Sequence, residues 1–313
     1  MTITRARFLA AAAMAATACQ RQSRKRIGVV PKATSHLFFL SVKKGAEAAA
    51  QEAGIEMIWN GPSDETDHNR QIQVVDSLIA QRVDGIALSA TDERALVAPV
   101  LRARKAGIPI SVFDSGVLFD DYVTFVATGN REAGCTAART LAALVGGKGK
   151  VAMVMHKPGG LSTVLREQGF LETMAKEFPA VIVAARQYGM TDFAKSLAAA
   201  ENILTAHPDL AGIFASSEAS SLGSIQALRS RGLKGKVKLI TFDNSDTHIA
   251  ALKEGTINVM MVQDSFQIGY HAVRSLVLKL QGETPRKQID LPAREIRLPD
   301  LDQPGVRTLL GLK

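Results

Sequence analysis

Short apolar runs recur along the chain, and four of them end at a small polar residue. These runs cover residues 84–88, 107–113, 212–215 and 237–242. Runs of this length that are rich in β-branched residues are typical of buried parallel strands. Ligands of open α/β sheets bind just beyond the carboxyl ends of such strands. The polar residues at these ends are therefore candidate ligand contacts: Ser89, Asp114, Ser217 and Asp243.

Between the apolar runs, hydrophobic residues recur at helical spacing. In the first half of the chain this pattern predicts helices at residues 38–53, 67–80 and 94–105, with further strands at 27–30, 55–59 and 122–127. In the second half it predicts helices at 130–145, 163–178, 192–206, 217–231 and 247–254, with further strands at 150–155, 181–187 and 257–262. A last helix at 266–280 has no vacant place in the second half, so we expect it to return to the first.

The alternation of strands and helices completes one α/β unit and restarts near residue 128. It predicts two doubly wound parallel-sheet lobes joined by a multi-strand hinge, with a ligand cleft between them. The predicted first lobe comprises residues 27–128 and 264–285. The predicted second lobe comprises residues 129–263 and 286–313.

The formal net charge of +8 is typical of proteins that bind nucleic acid or anionic membranes. However, residues 1–26 hold six basic residues and no acidic ones, so the rest of the chain carries 32 Lys and Arg against 30 Asp and Glu. Because this larger part is near neutral and has no basic stripe with interleaved aromatic residues, no nucleic-acid partner is expected.

Residues 1–19 have the pattern of an export signal, with two arginines, a short apolar stretch and small residues before Cys19. The position of Cys19 resembles the lipobox of bacterial lipoproteins, in which the thiol is lipidated. Ordinary signal cleavage after the small residues is the alternative and would give a soluble periplasmic product. In both cases we expect a location in the periplasm or cell envelope. Residues 20–26 then form a basic tether, and a lipid at Cys19 is the one expected contact with the membrane.

Signatures of catalysis are missing from the sequence. There is no nucleophile elbow, no zinc-protease helix and no pair of cysteine ligands. The six histidines are scattered without a second ligand at metal spacing; His36 lies beside a predicted binding loop, and the others are expected at surface or capping positions. We therefore expect no metal, no cofactor and no enzymatic activity. The enzymatic alternative would use Asp114 and Asp243 as an acid/base pair on a glycoside.

Several side chains at the predicted loops suit a sugar ligand. The carboxylates of Asp114 and Asp243 can accept paired hydrogen bonds from neighbouring hydroxyls, and the guanidinium of Arg166 can donate a planar pair. Aromatic faces pack against the apolar face of a sugar ring, and three are available at these loops: Phe38, Phe39 and Phe193. We expect Arg166 and Asp243 to point into a wet cleft and not into the core.

Together these features resemble the periplasmic sugar-binding proteins of the ribose-binding type, which are the solute receptors of ABC importers. The resemblance covers residues 27–298 and rests on the segments 29–45, 166–170, 192–193, 204–209 and 263–269 and on the strand ends at Ser89, Asp114 and Asp243. It implies the periplasmic binding protein type 1 fold, which is related to the effector domains of LacI-type repressors.

The resemblance also implies a function and a set of ligand contacts. The function is that of an exported receptor that binds a monosaccharide or related polyol as a monomer and delivers it to an ABC permease in the inner membrane. The implied contacts are His36, Phe38, Phe39, Ser89, Asp114, Ser115, Arg166, Phe193, Ser217, Asp243 and Gln263.

The chain departs from ribose binders of this family at four contacts. It has Ser89 and Ser217 where they carry Asn, Ser115 where they carry Arg, and His36 where they carry Asn. Shorter side chains imply a pocket of different size, so a sugar or polyol other than ribose is open. A sugar-responsive signal or chemotaxis receptor and a repressor-like effector domain are the alternative functions of the same fold.

Overall fold

The computed structural model describes residues 24–312 and shows two six-stranded sheets. The strands of the first sheet are β1 (Arg26–Val30), β2 (Glu56–Trp59), β3 (Gly85–Leu88), β4 (Ile110–Phe113), β5 (Thr124–Thr128) and β11 (Gln288–Leu291). They are arranged in the order β11-β5-β4-β3-β1-β2 and all neighbouring pairs are parallel.

The second sheet repeats this arrangement. Its strands are β6 (Gly149–Met155), β7 (Val181–Tyr188), β8 (Leu210–Ala215), β9 (Lys238–Phe242), β10 (Val259–Val262) and β12 (Arg294–Ile296). Their order is β12-β10-β9-β8-β6-β7, and only β12 runs antiparallel to its neighbour. Strands β1–β5 and β6–β10 thus have the same order, which confirms the prediction of an α/β fold with two doubly wound lobes.

Helices cover both faces of each sheet, as buried parallel strands require. In the first lobe, α1 (Leu37–Glu52) and α9 (Ser265–Leu280) cover one face and α2 (His68–Ala80) and α3 (Val97–Lys105) cover the other. In the second lobe, α4 (Asn130–Leu144) and α5 (Leu161–Glu177) cover one face. The opposite face is covered by α6 (Phe193–Ala206), α7 (Glu218–Ser230), α8 (Asp246–Lys253), a 3₁₀ helix (Leu298–Asp302) and α10 (Pro304–Leu310).

The helix α9 follows the second lobe in sequence but packs in the first, because two glycines let it approach α1 closely. A Cβ atom at Gly45 would overlap the backbone oxygen of Phe266, and one at Gly269 would overlap that of Val42. The apolar residues of α9, including Ile268 and Leu276, join those of α1 in one core cluster. This close packing against α1 holds α9 in the first lobe.

Within residues 24–312 the chain passes between the lobes three times, after β5, after β10 and after β11. The last passage lies later than the boundary predicted at residue 286. Residues 288–291 pair with β5 in the first sheet, Gln288 opposite Phe125 and Leu291 opposite Thr128, so they belong to the first lobe. The sequence showed no reason to separate this short, half-exposed strand from the tail that follows it.

At the amino-terminal side, the described residues begin in contact with the first lobe. Lys25 pairs with Asp84 at 2.8 Å, and Arg26, the last residue of the predicted tether, already lies in β1. The predicted export signal and Cys19 lie outside the described residues. Among residues 24–312, no helix has the length and apolar character needed to cross a membrane.

Candidate functional site

Asp114 and Asp243 occupy the same turn in the two lobes. The N–H of Asp114 donates to the Val126 carbonyl at 2.8 Å, and that of Asp243 donates to the Met261 carbonyl at 2.9 Å. Each residue therefore adds one backbone hydrogen bond to the sheet beyond the end of its strand. Its backbone then turns, with φ of 56° at Asp114 and 70° at Asp243. This left-handed region is costly for most residues but is tolerated by Asp. The turn sets both carboxylates at the carboxyl ends of their sheets.

A single cavity between the lobes receives both carboxylates. Its volume is about 30 Å³ and it is lined by Lys32, His36, Phe38, Phe39, Glu65, Asp114, His156, Ser162, Thr163, Arg166, Ser217, Glu218, Ala219, Asp243 and Gln263. A space of this size holds about one water molecule. A larger molecule therefore fits there only if the lobes move apart.

Eight of the eleven predicted contacts line this cavity: His36, Phe38, Phe39, Asp114, Arg166, Ser217, Asp243 and Gln263. Ser89 and Ser115 are fully buried behind it. The Ser89 hydroxyl donates to Asp114 Oδ2 at 2.9 Å, so it orients the carboxylate. Phe193 is 48 % exposed at the start of α6 and does not line the cavity. Its role as a ligand contact stays a prediction.

Four ionisable side chains of the cavity were not predicted from the sequence. Lys32, Glu65 and His156 are each less than 5 % exposed, and Glu218 is half-buried. His156 was expected at a surface or capping position, and this prediction was wrong because the ring is enclosed between the lobes. Lys32 and His156 come within two residues of the ends of β1 and β6, so the rule used for the four apolar runs could have found them.

Lys32 holds two carboxylates of the first lobe together. Its Nζ lies 3.1 Å from Asp114 Oδ2 and 3.3 Å from Glu65 Oε2. Across the cleft it lies 3.5 Å from Ser162 Oγ. Burial by itself lowers the pKa of Lys32, but the two carboxylates outweigh burial and raise that pKa above its usual range. Lys32 is therefore a fixed positive charge in the cavity.

Glu65 lies between two histidines. Its Oε1 is 3.1 Å from His36 Nδ1, and its Oε2 is 2.9 Å from His156 Nε2 in the other lobe. Burial raises the pKa of Glu65, but the nearby cations, Lys32 foremost, hold it well below its usual range. Burial lowers the pKa of His156 more than Glu65 raises it, so this ring is neutral at pH 7 and donates from Nε2 to the carboxylate. For His36 burial also lowers the pKa, but Glu65 outweighs it and the net shift is upward.

Arg166 is built into the second lobe. It is 2 % exposed, and its guanidinium donates to the carbonyl of Ser216 and to Asn130 Oδ1. Its Cζ lies 3.2 Å from the ring centroid of Phe242. Burial lowers its pKa to about 10, against the opposing effect of Asp243, so the guanidinium is charged at pH 7. The expectation of a side chain in a wet cleft was wrong for Arg166, because its stem and most of its donors belong to the interior.

Asp243 connects the cavity to the hinge. Its Oδ1 accepts from Gln263 Nε2 at 2.7 Å, and its Oδ2 accepts from the N–H of Glu218 at 3.1 Å. Gln263 follows β10 at a crossing between the lobes, where its Oε1 accepts from the Thr128 hydroxyl at 2.6 Å. Burial raises the pKa of Asp243, and Arg166 acts in the opposite direction.

The sequence pattern of the family described as "Periplasmic binding protein domain" matches residues 27–284 of the chain. The chain belongs to this family. The crystal structure of a carbohydrate transporter solute-binding protein from Agrobacterium radiobacter, in complex with D-arabinose, is similar to this periplasmic binding protein with a TM-score of 0.90. The two share 29 % sequence identity over 92 % of this chain and 99 % of that one.

Two further proteins support the same relationship. A solute-binding protein of an ABC transporter from Agrobacterium vitis, bound to α-D-tagatopyranose, has a TM-score of 0.88 and 32 % identity, again over 92 % of this chain and 99 % of that one. The D-ribose/D-allose-binding protein of Pseudomonas aeruginosa is 29 % identical over 88 % of this chain and 89 % of its own length. These relatives are binding proteins.

Two buried polar atoms on the cavity side chains of this periplasmic binding protein have no hydrogen-bond partner among the described residues. They are Nε of Arg166, which is a donor, and Nδ1 of His156, which is an acceptor in the neutral ring. A hydroxyl group can both donate and accept, so a molecule that carries several hydroxyls suits the charged and polar side chains that line the cavity. Among residues 24–312, no group of three or more His, Cys, Asp or Glu side chains is placed to hold a metal ion.

Proposed function

We propose that this periplasmic binding protein is the exported solute receptor of an ABC importer. It holds a monosaccharide or related polyol between its lobes and delivers it to a membrane permease. The observation that carries this proposal is the pair Asp114 and Asp243, one from the same turn of each lobe, on one cavity that also contains Arg166. A ligand bound by both carboxylates contacts both lobes and stabilises their closed arrangement.

The chemistry of the cavity supports a polyhydroxylated ligand. Charged groups form hydrogen bonds to hydroxyls that are stronger than those between neutral groups. Phe38 and Phe39 supply apolar faces and pack edge to face, with 5.0 Å between their ring centroids. The names of the similar proteins point in the same direction, since they include D-ribose, D-allose and D-arabinose.

The hydrogen bonds of the two carboxylates support binding over catalysis. Asp114 is engaged by Ser89 and Lys32, and Asp243 is engaged by Gln263 and the Glu218 backbone. A general acid/base pair on a glycoside needs one carboxyl that is free to exchange its proton with the substrate. We infer that these groups orient hydroxyls and that the protein is not an enzyme.

The family and the predicted leader support a location in the cell envelope. We propose that the mature protein is a monomer of the periplasm or cell envelope that begins at lipidated Cys19. The intact mass of the protein purified from membranes tests this proposal, because an unmodified Cys19 would contradict the lipid anchor.

Isothermal titration against D-ribose, D-allose, D-arabinose, D-tagatose and xylitol tests the proposed function. We expect at least one of them to bind with one site per chain, and native mass spectrometry to detect the same class of molecule carried over from the host. If none of these compounds binds while DNA does, the proposed function is wrong.

A further inference from the structure

A second and larger cavity adjoins the one described above. Its volume is about 800 Å³, and it runs along the start of α1, the turns before α8 and α9, the crossing from β11 to β12, and the end of α10. Phe38 and Asp243 line both cavities. The two cavities are therefore adjacent, and these two side chains stand between them.

Three large apolar side chains that line the groove are exposed and do not pack in the core. Leu37 and Leu40 of α1 are 48 % and 44 % exposed, and Phe266 of α9 is 39 % exposed. The apolar face of α1 that packs in the core is a different one and includes Phe39, Val42 and Ala46. Large apolar side chains that are gathered in a concave surface mark a binding site more often than scattered ones do.

Five charged residues line the groove: Lys44, Arg294, Asp243, Asp246 and Asp264. Both oxygens of Asp243 already accept hydrogen bonds from Gln263 and from the Glu218 N–H, which leaves Lys44 and Arg294 against Asp246 and Asp264. Such a rim gives little net attraction for a charged occupant, so it favours an uncharged one. The groove also touches both lobes, because α1 and α9 belong to the first lobe and α8 and α10 to the second.

We propose that the natural ligand is a glycoside whose sugar occupies the smaller cavity and whose apolar aglycone, an alkyl or aryl group, lies in this groove. This inference rests on the proposed function, since it assumes that the smaller cavity binds a sugar. Each methylene group that leaves water raises affinity by up to about fourfold, so an aryl or alkyl substituent has a measurable effect.

The test uses the full-length protein and compares each sugar that binds in the titration proposed above with its methyl and p-nitrophenyl glycosides by isothermal titration. We expect the p-nitrophenyl glycoside of a sugar that binds to have at least about tenfold higher affinity than its methyl glycoside. Leu40→Ser and Phe266→Ser should remove this gain and leave the affinity for the methyl glycoside unchanged. Leu101→Ser is the matched control, because Leu101 is 50 % exposed on α3 and lies outside the groove.

The outcomes separate the two proposals. If a free sugar binds but its p-nitrophenyl glycoside gains nothing, or if the gain survives both groove substitutions, the groove does not hold the aglycone and the proposed function stands. A free sugar that binds while both of its glycosides fail also overturns the inference. If no compound of the titration proposed above and no glycoside binds, the inference fails, and the proposed function fails with it when DNA binds instead. Unchanged melting temperatures and unchanged methyl-glycoside binding show that the variants are folded.

Discussion

At the scale of single residues, the carboxylates and the guanidinium of the cavity are positioned in different ways. Asp114 and Asp243 reach the cavity through a left-handed turn that both lobes share. Arg166 reaches it from the interior, where Phe242, Ser216 and Asn130 fix its guanidinium. A substitution at a carboxylate therefore changes a turn at the edge of a sheet, whereas a substitution at Arg166 removes a side chain from the interior of the second lobe.

We expect Asp243→Asn to weaken sugar binding by about tenfold to a hundredfold, because a buried hydrogen bond to a charged group contributes about 1.5–3 kcal/mol. The melting temperature should also fall, because the amide keeps only one acceptor oxygen for two donors, Gln263 Nε2 and the Glu218 N–H. Titration calorimetry and thermal unfolding of the same samples measure both effects. Lys279→Ala, at an exposed site on α9, is the control and should leave both unchanged.

Arg166→Ala should weaken binding at least as much and should also destabilise the fold. Removing one partner from a buried charged network leaves the other charge uncompensated, which costs about 3 kcal/mol or more. Urea unfolding of the variant checks this value. If the Arg166→Ala protein were as stable as the wild type, the buried guanidinium would not contribute to the stability of the second lobe.

At the scale of elements, the turn that carries Asp243 is stabilised from within. Ser245 caps α8 by accepting from the His248 N–H, and its hydroxyl lies 2.8 Å from His248 Nδ1. His248 is fully buried, and burial lowers its pKa to about 4. A neutral histidine ring is therefore part of the support beneath a predicted ligand contact.

This buried ring predicts a pH dependence of stability. Between pH 6.5 and about pH 4 the unfolded chain binds a proton at His248 and the folded chain does not, so the free energy of unfolding falls as the pH falls through this window. The full loss from this group is about 3 kcal/mol. Urea unfolding at a series of pH values should show a smaller decrease for His248→Gln than for the wild type. His207→Gln, at a partly exposed ring, is the control and should keep the wild-type slope; a His248→Gln protein with that slope would contradict the assignment.

The helices and strands themselves were largely predictable. The helix predicted at 38–53 is observed at Leu37–Glu52, and the strand predicted at 150–155 is observed at Gly149–Met155. These elements bury regular apolar stripes, and such stripes are visible in the sequence. β11 and β12 were not predicted, because three or four half-exposed residues carry no periodic pattern and gain their strand geometry from the sheet edge they join.

At the scale of the whole molecule, the lobes are held together by contacts outside the predicted ligand residues. Lys157 of the second lobe donates to the Thr91 carbonyl of the first at 2.6 Å, and the Glu93 N–H donates to the Gly159 carbonyl at 3.1 Å. Glu65 and His156 form a further link at 2.9 Å. These bonds exist only when the lobes are close, so they shift the equilibrium between open and closed arrangements toward closure.

We expect Lys157→Met to shift that equilibrium toward the open arrangement. The methionine keeps the length of the side chain but cannot donate to Thr91, and losing this charged hydrogen bond should reduce sugar affinity by about tenfold. Small-angle X-ray scattering at a fixed sugar concentration should give a larger radius of gyration than for the wild type. Lys176→Met, at an exposed site on α5, is the matched control. Equal affinity and equal radius for Lys157→Met and the wild type would show that this contact does not contribute to closure.

The sequence by itself determined the two-lobe α/β architecture and much of the cavity. Apolar runs fixed the central strands, and the rule that ligands lie at their carboxyl ends selected Asp114 and Asp243 without knowledge of the fold. This worked because strand burial and the position of a strand end are local properties, which a few consecutive residues encode.

Only the tertiary structure decided which polar side chains share one space. Glu65 and His156 are 91 residues apart and lie in different lobes, and their contact depends on the angle at which the crossings hold the lobes. The tertiary packing also places the Ser89 hydroxyl against Asp114, leaves Phe193 half exposed and buries Arg166. Side-chain depth in a cleft depends on how far two rigid lobes approach each other, and no local pattern of residues encodes that distance.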